Sequence, residues 1–361
     1  MENENSMDIM EEMKEIDAAL VKHSAVRFNY GVLNPINRKE EFEKFKEDKT
    51  YDPQLQYNDF DAAYHEEELK NLSIPKHHLL TPLFEEIRHH LLIEAKALQR
   101  IGTKKFDVRP IFQPITGKVL QEARNILLEP EVHKVKEEKT ISAEELAKIM
   151  KQELQKYDCR GWTIRLSENA ASRMSVSAGN KKITIAKKEK FSTQDVTKLI
   201  RHEIGTHVLR SENGEAQDLK VCAIGLPQYL ATEEGLAVFN EQQSTTKNIH
   251  KLKYLARQAL LTYYASNLGF AETFNLIRDQ YSSDWLCFKS VIRAKRGLGD
   301  TSRPGGYLKD HLYLQGKLMI DEYVKKGRDI SLLYAGKIGI EHVHLVEEGL
   351  FKPAKVLPDF L

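Results

Sequence analysis

The chain has 361 residues, 41% of them hydrophobic and 30% charged, with a formal net charge of +1. That length suits two domains or one large one around a well-buried core, with the composition of an ordinary soluble globular protein. The near-zero charge excludes a global field drawing the protein to nucleic acid or membrane, and no run of about eighteen apolar residues spans a bilayer.

The acidic start, "MENENSMDIMEEMKEIDAALVKH", has no basic segment leading into an apolar core, so no standard signal peptide is expected. Cys159, Cys222 and Cys287 are scattered and odd in number, which fits reduced thiols and a cytoplasmic protein. The first third reads as helical and charged. Apolar residues recur at helical spacing in "MDIMEEMKEIDAALVKH" and again from about Pro82 to Ile101. A charged stretch, "EPEVHKVKEEKT", is the best candidate for a loop or internal boundary.

Ser142 and Glu145 then form a capping box that opens a helix reaching about Tyr157. The period changes to two in "WTIRL", "SRMSVSAG" and "KKITIA", with Gly179-Asn180 as a tight turn between the last two. A small sheet is expected here, with "KKITIA" at its edge. The next helix is capped by Ser192, with Asp195 at its third position and Gly214 beyond its expected end. Its apolar stripe is Val196, Leu199, Ile200 and Ile204. From Thr232 onward nearly everything reads as helix, including "IHKLKYLARQALLTYYASNL", "DWLCFKSVIRAKRG" and "LKDHLYLQGKLMIDEYVKKG".

The capped helix carries "RHEIGTHVLR", residues 201–210. Zinc peptidases use H-E-x-x-H, whose histidines share one helical face, with the Glu as general base. Here the histidines are five apart. In a regular α-helix that separation turns the second ring about 140° from the first, against about 40° for a spacing of four. One residue absorbed in a wide π turn restores a common face, and such turns concentrate at functional sites. Gly205 supplies a weak point for it, and Val208 then rejoins the stripe of Val196 and Ile200. A catalytic zinc site needs a third protein ligand and an open position. "LPQYLATEEGLAVFNEQQ" offers Glu233 or Glu234 in the first turn of a helix capped by Thr232, one turned inward and the other solvated near the positive end.

Together, "RHEIGTHVLR", "TEEGLAVFNE" and "RAKRGLGDTSRPGGYLKDHLYLQG" resemble the QEGLA-motif proteins, a family that includes the microtubule-associated tyrosine carboxypeptidases. The resemblance runs from "NYGVLNPIN" to "GKIGIEHVHL". It implies Zn²⁺ on His202, His207 and Glu234, with Glu203 as catalytic base; Glu233 stands where the family often has Gln. It further implies a zincin-like α+β fold, mainly helical, with a small β-sheet preceding the metal-binding helix. Residues 1–130 would be a helical region packed on a catalytic region at 140–361, the two forming one integrated unit. The tubulin-acting members carry a long N-terminal extension absent from this sequence, so the resemblance implies their chemistry rather than their microtubule substrate.

The expected activity is removal of a C-terminal residue, tyrosine or another aromatic, from an exposed peptide or protein tail. Tyr307 and Tyr313 are candidate oxyanion donors. Arg293, Arg296 and Lys309 are candidates for the substrate's terminal carboxylate. The lysines of "NKKITIAKKEK" suit an acidic tail or simply a soluble hairpin. His77, His78, His89, His90, His342 and His344 have no third ligand at useful spacing and read as surface or packing residues. Two rivals stay open: a non-enzymatic binding module with a structural zinc site, and a zinc hydrolase of a small amide.

Overall fold

A computed structural model describes the chain apart from residues 1, 27–29, 77, 131–136, 169, 171 and 245–248. Part of the charged boundary stretch, and His77, therefore lie outside the described residues. The fold is mainly helical with two small sheets. It divides into two compact units, one of Met1–Glu129 with Lys251–Leu314 and one of Pro130–His250 with Gln315–Leu361. Among the described residues no helix is long and apolar enough to cross a membrane. The three cysteines are free and buried.

In the first unit the expected helices form at Glu2–His23, Thr81–Gln99 and Asp284–Lys295. One core is aromatic: Phe45 meets Phe270 and Phe274 edge-on, with ring centroids 5.3 and 4.7 Å apart, and Phe288 at 5.5 Å. Such tilted contacts suit the ring quadrupoles.

In the second unit Ser142 and Glu145 close their capping box on the helix Ala143–Lys156. Three strands follow the expected segments, and two further strands of two residues each were not expected. β1 (Ile141–Ser142) pairs antiparallel with β5 (Lys190–Phe191). β2 (Thr163–Ser167), β3 (Met174–Ser177) and β4 (Lys182–Ala186) form a sheet ordered β2-β4-β3. "KKITIA" is thus the central strand, not the edge. Its alternation fits either place, and only the parallel partner β2 decides it. The β3–β4 connection also differs: Ala178–Asn180 make one 3-10 turn, and Lys181, at φ 41°, takes the left-handed position. Ile183 and Ile185 point into a core shared with Leu146, Met150, Ile204 and Val208.

Ser192 caps Thr193–Leu199 through a second capping box with Asp195. That helix runs on without a break through Ile200–Val208 into Leu209–Glu215. Gly214 therefore lies inside the last turns rather than past them. A Cβ there would stand 2.4 Å from the Cys222 carbonyl oxygen, so close packing, not helix termination, explains the glycine. The helix Tyr229–Gln242 starts four residues earlier than expected, with Gln228 in place of Thr232 at its N-cap. Thr232 is interior, and its hydroxyl accepts from the Ile340 amide at 3.0 Å instead of capping.

Candidate metal centre

Residues Ile200–Val208 adopt the wide π turn that the histidine spacing requires. The Leu209 amide donates to the Ile204 carbonyl, five residues back. The Thr206 hydroxyl donates at 3.0 Å to the Arg201 carbonyl, also five back. The consequence is direct: the His202 and His207 rings lie 5.1 Å apart, centroid to centroid. Val196, Ile204 and Val208 stay on the buried side, as the absorbed residue predicts.

His202, Glu203 and His207 converge, each offering a ligand atom within 4.8 Å of the others. Glu234 approaches the group through His207, its Oε2 lying 3.9 Å from His207 Nε2. That is too long for a hydrogen bond, and Glu234 stands outside the three residues whose ligand atoms lie mutually within 4.8 Å.

The backs of both rings face carboxylates. His207 Nδ1 donates to Glu233 Oε1 at 2.9 Å, and His202 Nδ1 lies 3.4 Å from Glu241 Oε2. The carboxylate behind His207 accepts its Nδ1–H, which fixes that tautomer and aims Nε2 forward, the usual support of a metal-binding histidine, whereas His202 Nδ1 is buried without a hydrogen bond among the described residues. The donors that converge, two imidazoles and the Glu203 carboxylate, fit a divalent metal of zinc's preferences.

Glu233 and Glu234 are 2% and 6% exposed, so neither is the solvated partner expected from the sequence. Glu233 can be buried because cations surround it. Lys337 Nζ donates to it at 2.6 Å, and Arg210, fully buried, donates to its other oxygen. Burial alone would raise the Glu233 pKa, but the charges of Lys337 and Arg210 and the His207 hydrogen bond hold it well below the usual carboxylate range. Burial would likewise lower the His207 pKa, yet Glu233, Glu234 and Glu203 together raise it.

Sequence reasoning missed Glu241, Arg210 and Lys337. Glu241 had a signal, since it follows Glu234 by seven residues, two helical turns, and so shares its face. Lys337 comes from a segment about a hundred residues away and had none.

Arg293, Arg296, Lys309, Tyr307 and Tyr313 belong to the first unit. Arg293 clasps Asp310 with two bonds of 2.6 and 2.8 Å. The Arg296 guanidinium lies 5.2 Å from the Tyr307 ring centre, and Lys309 Nζ lies 5.6 Å from that of Tyr313. Burial would raise the Asp310 pKa, but the charges of Arg293, Arg296 and Lys309 lower it. Three cations therefore gather around one carboxylate. Among the other histidines, His342 is a packing residue, its Nδ1 accepting the Gly339 amide at 3.1 Å.

A sequence profile described as microtubule-associated tyrosine carboxypeptidase matches residues 40–361. Among individual proteins, microtubule-associated tyrosine carboxypeptidase 1 of Mus musculus is 27% identical over 322 residues, 86% of this chain and 60% of its own length. The Rattus norvegicus protein of that name is 27% identical over 341 residues, 91% of this chain and 64% of its own. The Homo sapiens protein is 32% identical over 224 residues, 59% of this chain and 46% of its own. The chain thus spans less than two thirds of the length of these relatives. With the profile covering all but the first 39 residues, the chain belongs to the microtubule-associated tyrosine carboxypeptidase family.

Proposed function

We propose that this protein is a zinc-dependent carboxypeptidase of zincin-like architecture that removes the last residue from exposed protein tails. The observation that carries the proposal is the convergence of His202, Glu203 and His207 on a π turn, with a carboxylate behind each imidazole. In this reading His202, His207 and Glu234 hold the metal. Zn²⁺, when bound, supplies a Lewis acid of the kind that lowers the pKa of water toward neutrality and polarises a carbonyl.

The chain's own residues do the rest. Glu203, a carboxylate beside the first ligand, accepts a proton from the attacking water and passes it to the leaving amine. A structural metal site has no use for such a group. Glu233 holds the His207 ring by its Nδ1–H, and its charge, balanced by Arg210 and Lys337, keeps that hydrogen bond in place. Arg293, Arg296 and Lys309 are the cations proposed for the substrate's terminal carboxylate. Tyr307 and Tyr313 are the hydroxyls proposed for the developing oxyanion. The relatives' names supply tyrosine as the first side chain to test.

The test is metal analysis paired with mass spectrometry of a peptide library randomised at its C-terminus. Wild type should carry about one zinc per chain and release single C-terminal residues. His202→Ala and His207→Ala should lose both properties. Full metal retention in both variants ends the zinc assignment, and zinc-loaded wild type inert across the library ends the peptidase assignment.

A further inference from the structure

We infer that Phe360 is a positioning residue for the metal centre: seated on Gly205, its ring holds open the wide turn that brings His202 and His207 together. The inference rests on the zinc reading above and extends it to a residue more than 150 positions from the motif.

A π turn is intrinsically poorer than the α-helix on either side of it and persists only where its surroundings enforce it. On one side the enforcement is polar. Asn240 Nδ2 donates at 2.8 Å to the Thr206 hydroxyl, which itself reaches back to the Arg201 carbonyl. Another side is covered by Phe360. A Cβ built on Gly205 would stand 2.7 Å from both Cε1 and Cζ of that ring, so the aromatic edge lies against the bare glycine backbone. The Arg201 guanidinium stacks 4.4 Å from the same ring centre. Phe360 therefore touches the residue just before His202 and the residue between the two histidines. Gly205, three positions from one histidine and two from the other, faces away from both on a turn this wide.

The segment that delivers the ring is anchored. Asn213, on the same long helix, bonds the Val356 backbone both ways, at 2.7 and 2.9 Å. The Asp359 amide donates to the Tyr157 hydroxyl at 3.2 Å, and its carboxylate lies 2.5 Å from Lys156 Nζ. Without the ring, the turn is free to tighten toward i to i−4 bonding, which swings His207 away from His202.

The experiment measures the zinc dissociation constant, by competition with a chromophoric chelator, and amide exchange of Leu209 in metal-free protein. Phe360→Ala should weaken zinc by about 10- to 100-fold, the usual cost of losing a ligand's support. Leu209 should exchange about ten-fold faster or more, and Phe360→Tyr should restore both values. Gly205→Ala, which pushes the ring off from the other side, should weaken zinc likewise and covers the case in which Phe360→Ala does not fold. A folded Phe360→Ala or Gly205→Ala protein with wild-type zinc affinity and wild-type Leu209 exchange overturns the inference. Wild type that binds no zinc overturns the zinc reading instead, and Leu209 exchange then still decides whether Phe360 holds the turn.

Discussion

Gly235, the glycine of the E-G-L-A motif, permits a helix crossing that no other residue allows. A Cβ there would lie 2.1 Å from the carbonyl carbon of Gly316 and 2.3 Å from its oxygen. The reverse holds too, since a Cβ on Gly316 would lie 1.8 Å from the Ala231 carbonyl oxygen. Ordinary contact begins at 3.4 Å, so Gly235→Ala must part the two backbones by about 1.3 Å (3.4 minus 2.1). Both partners are main chain, and no side chain can rotate aside. Overpacking usually costs 1–3 kcal/mol, and this site belongs at the upper end, about 3 kcal/mol. The helix that must move carries Glu233, Glu234 and Glu241. A displacement of about 1 Å in a catalytic constellation costs on the order of 10² in rate. Urea unfolding followed by circular dichroism, zinc titration and C-terminal residue release should therefore all report a loss. Gly316→Ala should act alike, and the double variant should cost less than the sum because the two share one contact. Wild-type stability and zinc affinity in Gly235→Ala would refute the reasoning.

Glu203→Gln should keep its zinc yet cleave on the order of 10²-fold more slowly, whereas Glu234→Gln should bind zinc more weakly; the reverse pattern in a paired metal and activity assay would exchange their roles. Glu233→Gln leaves Arg210 and Lys337 buried against a neutral amide, and should cost about 3–5 kcal/mol in an unfolding titration and about 10-fold or more in zinc affinity. Burial, with the charge of His344 nearby, pushes the His342 pKa down to about 4, and its Nδ1 accepts a backbone amide only when unprotonated. The unfolded state then binds the extra proton first, so this group's stability is complete above about pH 6.5 and is lost as pH falls through 4. That loss is about 3 kcal/mol, and His342→Asn should flatten the stability profile over this window; an equally steep profile in the variant would count against it.

What the sequence made legible was local. The five-residue gap between two histidines, with a glycine inside it, demanded a wide turn, and a wide turn is present. Both capping boxes lie where Ser142 and Ser192 put them, because capping depends on residues three apart. What stayed hidden depends on distant chain. Alternation in "KKITIA" describes a strand with one buried face but cannot say which neighbours it has, and β2 on its second side makes it central. Two glutamates at a presumed helix start look like ordinary end stabilisation until Tyr229 starts the helix earlier and Arg210 and Lys337 enclose Glu233. Gly205 was legible as a weak point in a helix, but its aromatic partner was not.

The extra residue between the histidines is absorbed where it occurs. Ile204, before the end of the wide turn, and Val208, after its insertion point, line one core with Val196 and Ile183, as they would on a regular helix carrying histidines four apart. Arg210 still reaches Glu233, and Asn213 still reaches Val356, so the second half of the helix keeps its register with its neighbours. Glu233, Glu234 and Glu241 come from a different helix, held at close range to its neighbour by Gly235 and Gly316, and that helix has no reason to adapt to the insertion. The departure from the familiar spacing is therefore confined to one turn. Its stability must come from what touches that turn, and Asn240 through Thr206 and Phe360 through Gly205 are two such contacts.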